Sequence, residues 1–209
     1  ADEGIIATDN PGEIQKIFPD EPQGHITGLV ERNMAVAMPQ FQMGIKDNSR
    51  TTGYNLLKRK ICLEIILSML MGRSSLLYNQ LYEEGLINQS FGSEATLEES
   101  YGFTAWGGQS GEPMKTAERI RENIRKVYKE GLNSQSFERI RRAHEGRFIR
   151  SLNSPENISH EFISLYFKGA NFFDSARVYG ELTLSDIEQV FREHFSMDPA
   201  LSIVWPMKS

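Results

Sequence analysis

The side chains best able to bind a metal or act as a base are four histidines: His25, His144, His160 and His194. A helical zinc site of a peptidase needs two histidines one turn apart and a nearby acid that activates water. No two of the four are three or four residues apart, and Glu145 and Glu161 directly follow a histidine, so on a helix each would point about 100° away from it. We therefore expect solvated or half-buried histidines, no metal site and no catalytic residue in this chain.

The single cysteine, Cys62, excludes an internal disulfide and any zinc site built from several cysteines. It lies within an apolar helical pattern, which predicts a small buried hydrophobic side chain and not a nucleophile. This cysteine usage fits a reducing compartment, and we expect a cytoplasmic location.

A glycine-rich segment, AWGGQSGEP, invites comparison with a phosphate-binding loop. It places Gly107, Gly108, Ser110 and Gly111 between a predicted strand and a predicted helix. The segment lacks the lysine and the spacing of a P-loop, so we expect an ordinary turn.

Positive charge is concentrated between Lys115 and Arg150, where eleven Lys or Arg face five Asp or Glu. Such a segment forms either a solvated helical face or a positive wall for an acidic peptide or a partner domain. The whole chain carries a net charge of −5 and has a pI near 5.5, which argues against nucleic-acid binding.

Composition is that of a globular protein, with 39% hydrophobic and 24% charged residues in a chain of 209. The longest apolar run, Ile61–Met71, is interrupted by Glu64 and Ser68 and is too short to cross a bilayer, so we expect no membrane partner. The sequence begins at Ala1 without a recognisable signal peptide, and we expect a processed chain or a fragment.

Periodicity and turn residues predict a linker or lead-in arm at residues 1–22 and one α+β domain at residues 23–209. The predicted strands are Asn33–Met38, Phe41–Lys46, Asn88–Leu97, Tyr101–Gly107 and Leu201–Trp205. The predicted helices run from Thr51 or Thr52 to Met71, from Ser74 to Glu84, from Pro113 to Gly131, from Asn133 to Ser151, from Ser154 toward Gly169 and from Leu184 to Phe195. Neighbouring strands and segregated helices indicate a largely antiparallel sheet with helices packed on it.

Two of these helices carry a pattern that matters for function. In the first, Lys60, Glu64 and Ser68 form one narrow polar stripe, so the helix should be packed on most of its sides. In the second, Tyr78 and Tyr82 are one turn apart and should project from the same side. Gly85 is placed to end that helix.

Three motifs, taken in order, resemble one enzyme family. The stretch RSSLLYNQLYEEGLINQSF resembles the pattern S-x-L-F-x-x-L-R-E-x-x-G-L-A-Y in the C-terminal half of pitrilysin/insulinase-type zinc metallopeptidases, which include mitochondrial processing peptidase. GLNSQSFERIRRAHEGRFIRSLNSPENIS is similar to that family's G-I-T-x-E-E-L-x-R-A-K … S-L-x-S-P-E, and LTLSDIEQVFREHF to its V-T-x-x-D-V-x-x-V-A-x-x-Y-L. The matching residues are Ser75, Leu77, Leu81, Glu83, Gly85, Leu86, Gly131, Arg139, Ser151, Leu152, Ser154, Pro155 and Glu156.

The resemblance implies two homologous α+β halves that enclose a peptide-binding chamber. The N-terminal half of such enzymes carries the zinc motif H-x-x-E-H, with its glutamate as general base, and the C-terminal half has no zinc ligands. This sequence contains no H-x-x-E-H. The implied partners are a homologous zinc-bearing N-terminal half, in the same or a separate chain, and a peptide substrate, with a homodimer possible.

The chain departs from the family at two substrate-binding positions. Where the family has an Arg that holds substrate, this sequence has Tyr82, and the family's Tyr position falls on Asn88 after a segment one residue shorter. A neutral Tyr82 cannot make the bidentate contact of Arg but can offer one phenolic hydrogen bond. Tyr82 and Asn88 are therefore the candidate substrate-binding residues, although for Tyr82 simple packing is the other interpretation.

Three functions remain open at this point. The chain is the C-terminal half of a bacterial-type zinc peptidase, a non-catalytic structural or recruiting subunit or paralogue of the same family, or an unrelated α+β binding module. A zinc motif encoded upstream of Ala1 would favour the first.

Overall fold

A computed structural model describes residues 28–207 of the chain. The predicted arm at 1–22, the start of the predicted domain at 23 and His25 lie outside the described residues. The described strands are β1 (Leu29–Met34), β2 (Gln40–Lys46), β3 (Gly92–Leu97), β4 (Gly102–Gln109) and β5 (Ala200–Pro206). The described helices are α1 (Gly53–Met71), α2 (Leu76–Glu83), α3 (Pro113–Glu130), α4 (Ser134–Ser151), α5 (Pro155–Tyr166), α6 (Asp174–Glu181) and α7 (Leu184–His194).

The five strands form one sheet in the order β1-β5-β2-β4-β3. The β5–β2, β2–β4 and β4–β3 pairs are antiparallel, and only β1 pairs in parallel, with β5. The predicted α+β fold with a largely antiparallel sheet is confirmed.

The helices cover one face of the sheet, as the alternation along the inner strands requires. In β2, Phe41, Met43 and Ile45 are buried, whereas Gln40 and Gln42, which alternate with them, are exposed. In register with them, Trp106 of β4 and Ile203 of β5 face the same core. No described helix lies on the opposite side, which includes Gln42 and Ser202, and we call it the uncovered sheet face.

Helix α1 crosses the centre of the core. Ten of its residues are buried, and from Lys60 onward the half-buried positions are the polar stripe of Lys60, Glu64 and Ser68 together with Met69. The prediction of a helix packed on most sides is confirmed. Burial of so much apolar surface makes α1 the element on which α4, α6 and α7 assemble.

Three predicted element positions are wrong. The first strand lies at Leu29–Met34 and not at Asn33–Met38, because it is an exposed outer strand whose place is set by pairing with β5 and not by an apolar pattern. Five helices follow β4 instead of four, because α6 is only eight residues long and has no side-chain cap to mark its start. The third strand begins at Gly92, since the four residues before it form a turn.

The glycine-rich segment is also only partly a turn. Gly107 and Gly108 lie within β4, and the turn begins after Gln109. A Cβ atom at Gly107 would lie 2.1 Å from the carbonyl oxygen of Phe41, so only glycine fits where β4 passes β2.

Candidate functional site

The junction between α2 and β3 contains both predicted substrate-binding residues. Ser75 caps α2 by accepting a hydrogen bond from the backbone N–H of Tyr78 at 3.1 Å. Gly85 follows the helix with a φ of 70°, a left-handed conformation that favours glycine, so its predicted role as the helix stop is confirmed. Arg119 of α3 binds both carboxylate oxygens of Glu84 at 2.8 and 3.0 Å and fixes the end of α2.

The two tyrosines of α2 project from one side of the helix, as predicted. Their rings stack with centroids 6.0 Å apart and planes 10° apart. Tyr78 is 7% exposed and packs against Phe91, whereas Tyr82 is 46% exposed. Tyr78 therefore belongs to the core, and Tyr82 rests on it with its outer side open to solvent.

Asn88 organises the turn that leads into β3. Its side-chain oxygen accepts hydrogen bonds from the backbone N–H and the hydroxyl of Ser90, at 2.9 and 2.6 Å. Its side-chain nitrogen donates to Gln109 at the end of β4, 3.0 Å away. Much of the hydrogen-bonding capacity of Asn88 is thus directed at its own turn, while the predicted contact with a substrate remains a prediction.

The same turn borders the uncovered sheet face. Ser90 and Gly92 line a depression of about 370 Å³ together with residues of β2 and β4. Gln40 and Gln42 contribute polar side chains to it, and Gly107 and Gly108 leave the backbone accessible. The junction therefore lies next to a shallow polar surface of the sheet.

A buried polar network, which the sequence did not predict, lies on the helical side of the sheet. His194 of α7 contacts Asp47 through Nδ1 at 3.1 Å and Thr104 of β4 through Nε2 at 2.7 Å. Arg59 of α1 donates from Nε to Asp47 at 2.9 Å. Burial alone would raise the pKa of Asp47, but hydrogen bonds from His194 and Ser49 and the charge of Arg59 hold it well below its usual value.

The order Thr104–His194–Asp47 has the connectivity of a nucleophile, a base and an orienting acid. Thr104 is 0% and His194 2% exposed, so no substrate can contact the hydroxyl. The network instead joins the end of β2 to β4, α1 and α7. The one indication of this network in the sequence was an aspartate, Asp47, directly after a strand. No spacing rule connects Asp47 with His194, which lies near the other end of the chain.

The expectation of solvated or half-buried histidines is wrong for His144 as well as for His194. His144 of α4 is 9% exposed, and its Nε2 lies 2.9 Å from Ser68 Oγ of the α1 stripe. Burial, together with the charge of Arg147, lowers the pKa of His144 from 6.5 to about 4. His160 is exposed, as expected.

Cys62 is 1% exposed, which confirms the buried hydrophobic interpretation, and burial raises the pKa of its thiol to about 12. Within residues 28–207 no group of three or more His, Cys, Asp or Glu could hold a metal ion. In that same part of the chain no single helix is long and apolar enough to cross a membrane. Helices α1 and α2 reach that length and apolar composition only together, as a pair bent by 43°.

Much of the positive charge between Lys115 and Arg150 is paired. Arg119 binds Glu84, Arg125 contacts Asp198, and Arg141 contacts Glu138. These pairs favour the solvated-face interpretation of the segment over a positive wall.

Comparison with known proteins defines the class to which this fold belongs. Residues 4–143 match the family described as the peptidase M16 inactive domain. The chain therefore belongs to that family, and the predicted resemblance to the C-terminal half of pitrilysin/insulinase-type zinc peptidases is confirmed.

Individual relatives support the same family assignment. The chain is 33% identical over 192 residues to YmfH, an uncharacterized zinc protease of Bacillus subtilis (strain 168), covering 91% of this chain and 44% of the relative. It is similar to the crystal structure of an M16-like peptidase from Alicyclobacillus acidocaldarius, with a TM-score of 0.90 and 27% identity over 96% of this chain and 48% of that one.

A third structure, the inactive peptidase domain of a zinc protease from Bordetella parapertussis, shares the fold with a TM-score of 0.70 at 13% identity over 85% of this chain and 95% of that one. The chain thus spans less than half of the first two relatives and almost all of the third.

Proposed function

We propose that the chain is the C-terminal, non-zinc half of a cytoplasmic zinc-dependent metalloendopeptidase and forms one wall of its peptide-binding chamber. The zinc ion and the general base belong to a homologous N-terminal half. Family membership and a span of 44% to 48% of two zinc-peptidase relatives support this division.

The uncovered sheet face is the observation that carries the chamber role. A sheet of this kind normally buries both faces or solvates one. Here the exposed face presents Gln42, Ser202 and the accessible backbone at Gly107, which together form a polar depression that an extended peptide can approach. The Asn88 turn borders this surface through Ser90, and Tyr82 precedes the turn on α2; we place the substrate-binding role at this junction.

The partner half requires a surface of its own. An apolar patch on α5 and beside α6 exposes Phe162, Ile163, Tyr166 and Phe173 at 39%, 54%, 66% and 53% of their surface. The rings of Phe162 and Tyr166 stack at 6.2 Å, and Phe173 lies 6.3 Å from Phe162, so the patch is contiguous. Patches of this kind mark association surfaces, and we assign this one to the N-terminal half.

The second candidate is a non-catalytic structural or recruiting subunit of the same family. The observation that favours it is the pair Tyr82 and Asn88, which stand where the family has Arg and Tyr. An intact peptidase whose chamber wall lacks that arginine would lose a charge-assisted contact to the substrate.

The test combines genome sequence and reconstitution. The gene is read upstream of Ala1, and a half with H-x-x-E-H is co-expressed with this chain; zinc content and cleavage of a fluorogenic peptide are then measured for each half and for the pair. We expect zinc in the N-terminal half only and cleavage by the pair only. One tightly held zinc per molecule of this chain, or full activity of the zinc half alone, would refute the proposal.

A bulky substitution separates the chamber wall from assembly. Ser202→Trp places a large ring on the uncovered sheet face, and Ser185→Trp places the same ring at an exposed position of α7. We expect Ser202→Trp to lower kcat/KM of the pair while the two halves still associate, and Ser185→Trp to leave kcat/KM unchanged. Equal activity of both variants would favour the recruiting subunit.

A further inference from the structure

A cavity of about 560 Å³ lies between the helices, beside α1. Residues of α1, α4, α5 and α6 line it, together with residues of β3. We call it the side cavity. The polar stripe of α1, formed by Lys60, Glu64 and Ser68, belongs to this lining, which explains why a helix with so many buried apolar residues carries those three.

Two hydroxyl groups of α6 reach the side cavity without a hydrogen-bond partner. Ser175 and Tyr179 are one helical turn apart, so they project from the same side of α6, and both line the cavity. They are only 5% and 6% exposed. Their hydrogen bonds to the described residues run through the backbone alone: the Ser175 N–H donates to the carbonyl oxygen of Phe172, and the Tyr179 carbonyl oxygen accepts from Arg141.

Unpaired hydroxyls in so buried a place indicate a polar occupant. Leaving a buried hydroxyl without a partner costs stability, so such groups are normally paired. The other buried polar pair of the lining follows this rule, because Nε2 of His144 lies 2.9 Å from Ser68 Oγ. Ser175 and Tyr179 are thus the lining residues whose hydroxyls stay available to a ligand.

Two carboxylates of the lining are available as well. Glu64 is half-buried, and its ion-pair partner Lys60 is 3.8 Å away, which is too far for a hydrogen bond. Glu161 of α5 lines the cavity and has no ion pair within residues 28–207. The remaining cation of the lining, Arg147, is exposed.

The carboxylates and the Tyr179 hydroxyl are close enough to influence one another. Burial raises the pKa of Glu64, Lys60 offsets part of that rise, and the charge of Glu161 adds to it. Burial also raises the pKa of Tyr179, and the charge of Glu64 adds to that rise. Glu64 therefore lies between a second negative charge and an unpaired hydroxyl.

This arrangement selects the chemistry of the occupant. A positive group between Glu64 and Glu161 would relieve their repulsion, and hydroxyl groups would pair with those of α6. Within residues 28–207 no group of three or more His, Cys, Asp or Glu could hold a metal ion, which favours an organic cation. The volume of the cavity lies in the range of small-molecule sites, about 300–1,000 Å³.

We propose that the side cavity binds a small hydroxylated amine of the amino-sugar type, with its ammonium group between Glu64 and Glu161 and its hydroxyl groups hydrogen-bonded to Ser175 and Tyr179. The site uses only residues of this chain. It depends neither on a zinc-bearing half nor on the uncovered sheet face, and it gives the domain a ligand that is not a peptide.

The experiment measures binding of three six-membered-ring probes to the 209-residue chain by isothermal titration calorimetry. Glucosamine offers an ammonium group and hydroxyls, glucose offers hydroxyls alone, and cyclohexylamine offers an ammonium group alone. The titrations are run at about pH 6, where the amine of glucosamine is protonated like an α-amino group. We expect glucosamine to bind most tightly. No saturable binding of glucosamine, or equal affinity for glucosamine and either other probe, would overturn the proposal.

Two variants with matched controls test the two contacts separately. Tyr179→Phe removes the hydroxyl and keeps the ring that packs on Phe148, whereas Tyr101→Phe makes the same change at an exposed position outside the cavity. Glu161→Gln removes a cavity charge, and Glu122→Gln removes the same charge from an exposed position of α3.

Tyr179→Phe should weaken binding of glucosamine roughly three- to tenfold and leave cyclohexylamine unaffected. Glu161→Gln should weaken both amines by roughly the same factor and leave glucose unaffected. The two controls should change neither affinity. Unchanged binding of glucosamine by either cavity variant would overturn the proposal.

Urea unfolding of the ligand-free chain separates a binding role of Tyr179 from a structural one. Because its hydroxyl has no partner among the described residues, Tyr179→Phe should be at least as stable as wild type without ligand, and glucosamine should stabilise wild type more than the variant. A loss of stability in ligand-free Tyr179→Phe would assign the hydroxyl to the fold and overturn its assignment to a ligand.

Discussion

Replacement of His144 by glutamine should make the protein less sensitive to acid. The imidazole is buried between α4 and α1, with its Nε2 2.9 Å from Ser68 Oγ, and burial favours its neutral form. A glutamine amide is of similar reach and can still bond to Ser68, but it does not titrate. The variant therefore removes the proton-binding group while it preserves the polar contact.

The sign and size of the effect follow from the pKa of His144, which is lowered from 6.5 to about 4 in the folded chain. As the pH falls below 6.5, the unfolded chain binds a proton that the folded chain does not yet accept, so the wild-type protein loses stability. Between about pH 7 and pH 5 this loss amounts to roughly 2 kcal/mol. For a domain of this size it corresponds to a decrease in Tm of roughly 4–8 °C.

Urea unfolding followed by circular dichroism at several pH values measures the free energy of unfolding of both proteins. The stability of His144→Gln relative to wild type should rise by roughly 2 kcal/mol between about pH 7 and pH 5. His160→Gln is the control, since His160 is exposed on α5 and its replacement should leave the pH dependence as in wild type. Parallel pH profiles for wild type and His144→Gln would refute the assigned burial of the imidazole.

Three further predictions concern other residues. Asp47→Asn leaves Arg59 without its buried partner and should lower the free energy of unfolding by about 3–5 kcal/mol in urea titrations. Because the pKa of Asp47 is depressed in the fold, wild type alone should lose this stability as the pH falls below the usual carboxyl range. Equal acid sensitivity of the two proteins would contradict this prediction. Tyr82→Phe keeps the stacking on Tyr78 and should lower kcat/KM of the reassembled enzyme roughly three- to tenfold, whereas unchanged kinetics and stability would assign Tyr82 to packing alone. Cys62, being 1% exposed, should react with a thiol reagent only as fast as the chain unfolds, and rapid labelling of the native protein would contradict its burial.

Local signals in the sequence were sufficient for most of the fold. The caps at Ser154 and Asn133, the proline at the start of α3 and the glycine after α2 mark helix ends through contacts within a few residues. Strand β1 could not be placed in this way, since all six of its residues are exposed and its position depends on β5, which lies at the other end of the chain. The short α6 is likewise fixed by its packing on α1 and α4.

In the candidate site, too, features set by neighbouring residues were predicted and contacts between distant residues were not. Tyr82 and Asn88 came from a motif within one short stretch, and the stacking of Tyr82 on Tyr78 followed from helical spacing alone. The contact of His194 with Asp47 joins residues far apart in the chain, so no spacing rule could find it. The polar stripe of α1 was visible in the sequence, but the cavity it lines requires α4 and α5 to be in place.

Among the described residues, the one constellation with the order of a catalytic triad lies inside the domain. His194, Asp47 and Thr104 have the connectivity of a hydrolase centre, yet they are buried where α7 meets the sheet and hold Arg59 in place. His144 and His194 are both committed to internal contacts, so we expect the domain to meet a peptide through its surface. The surface that the proposed chamber role uses is the uncovered sheet face, where Gln42 and Ser202 offer polar side chains to an extended backbone.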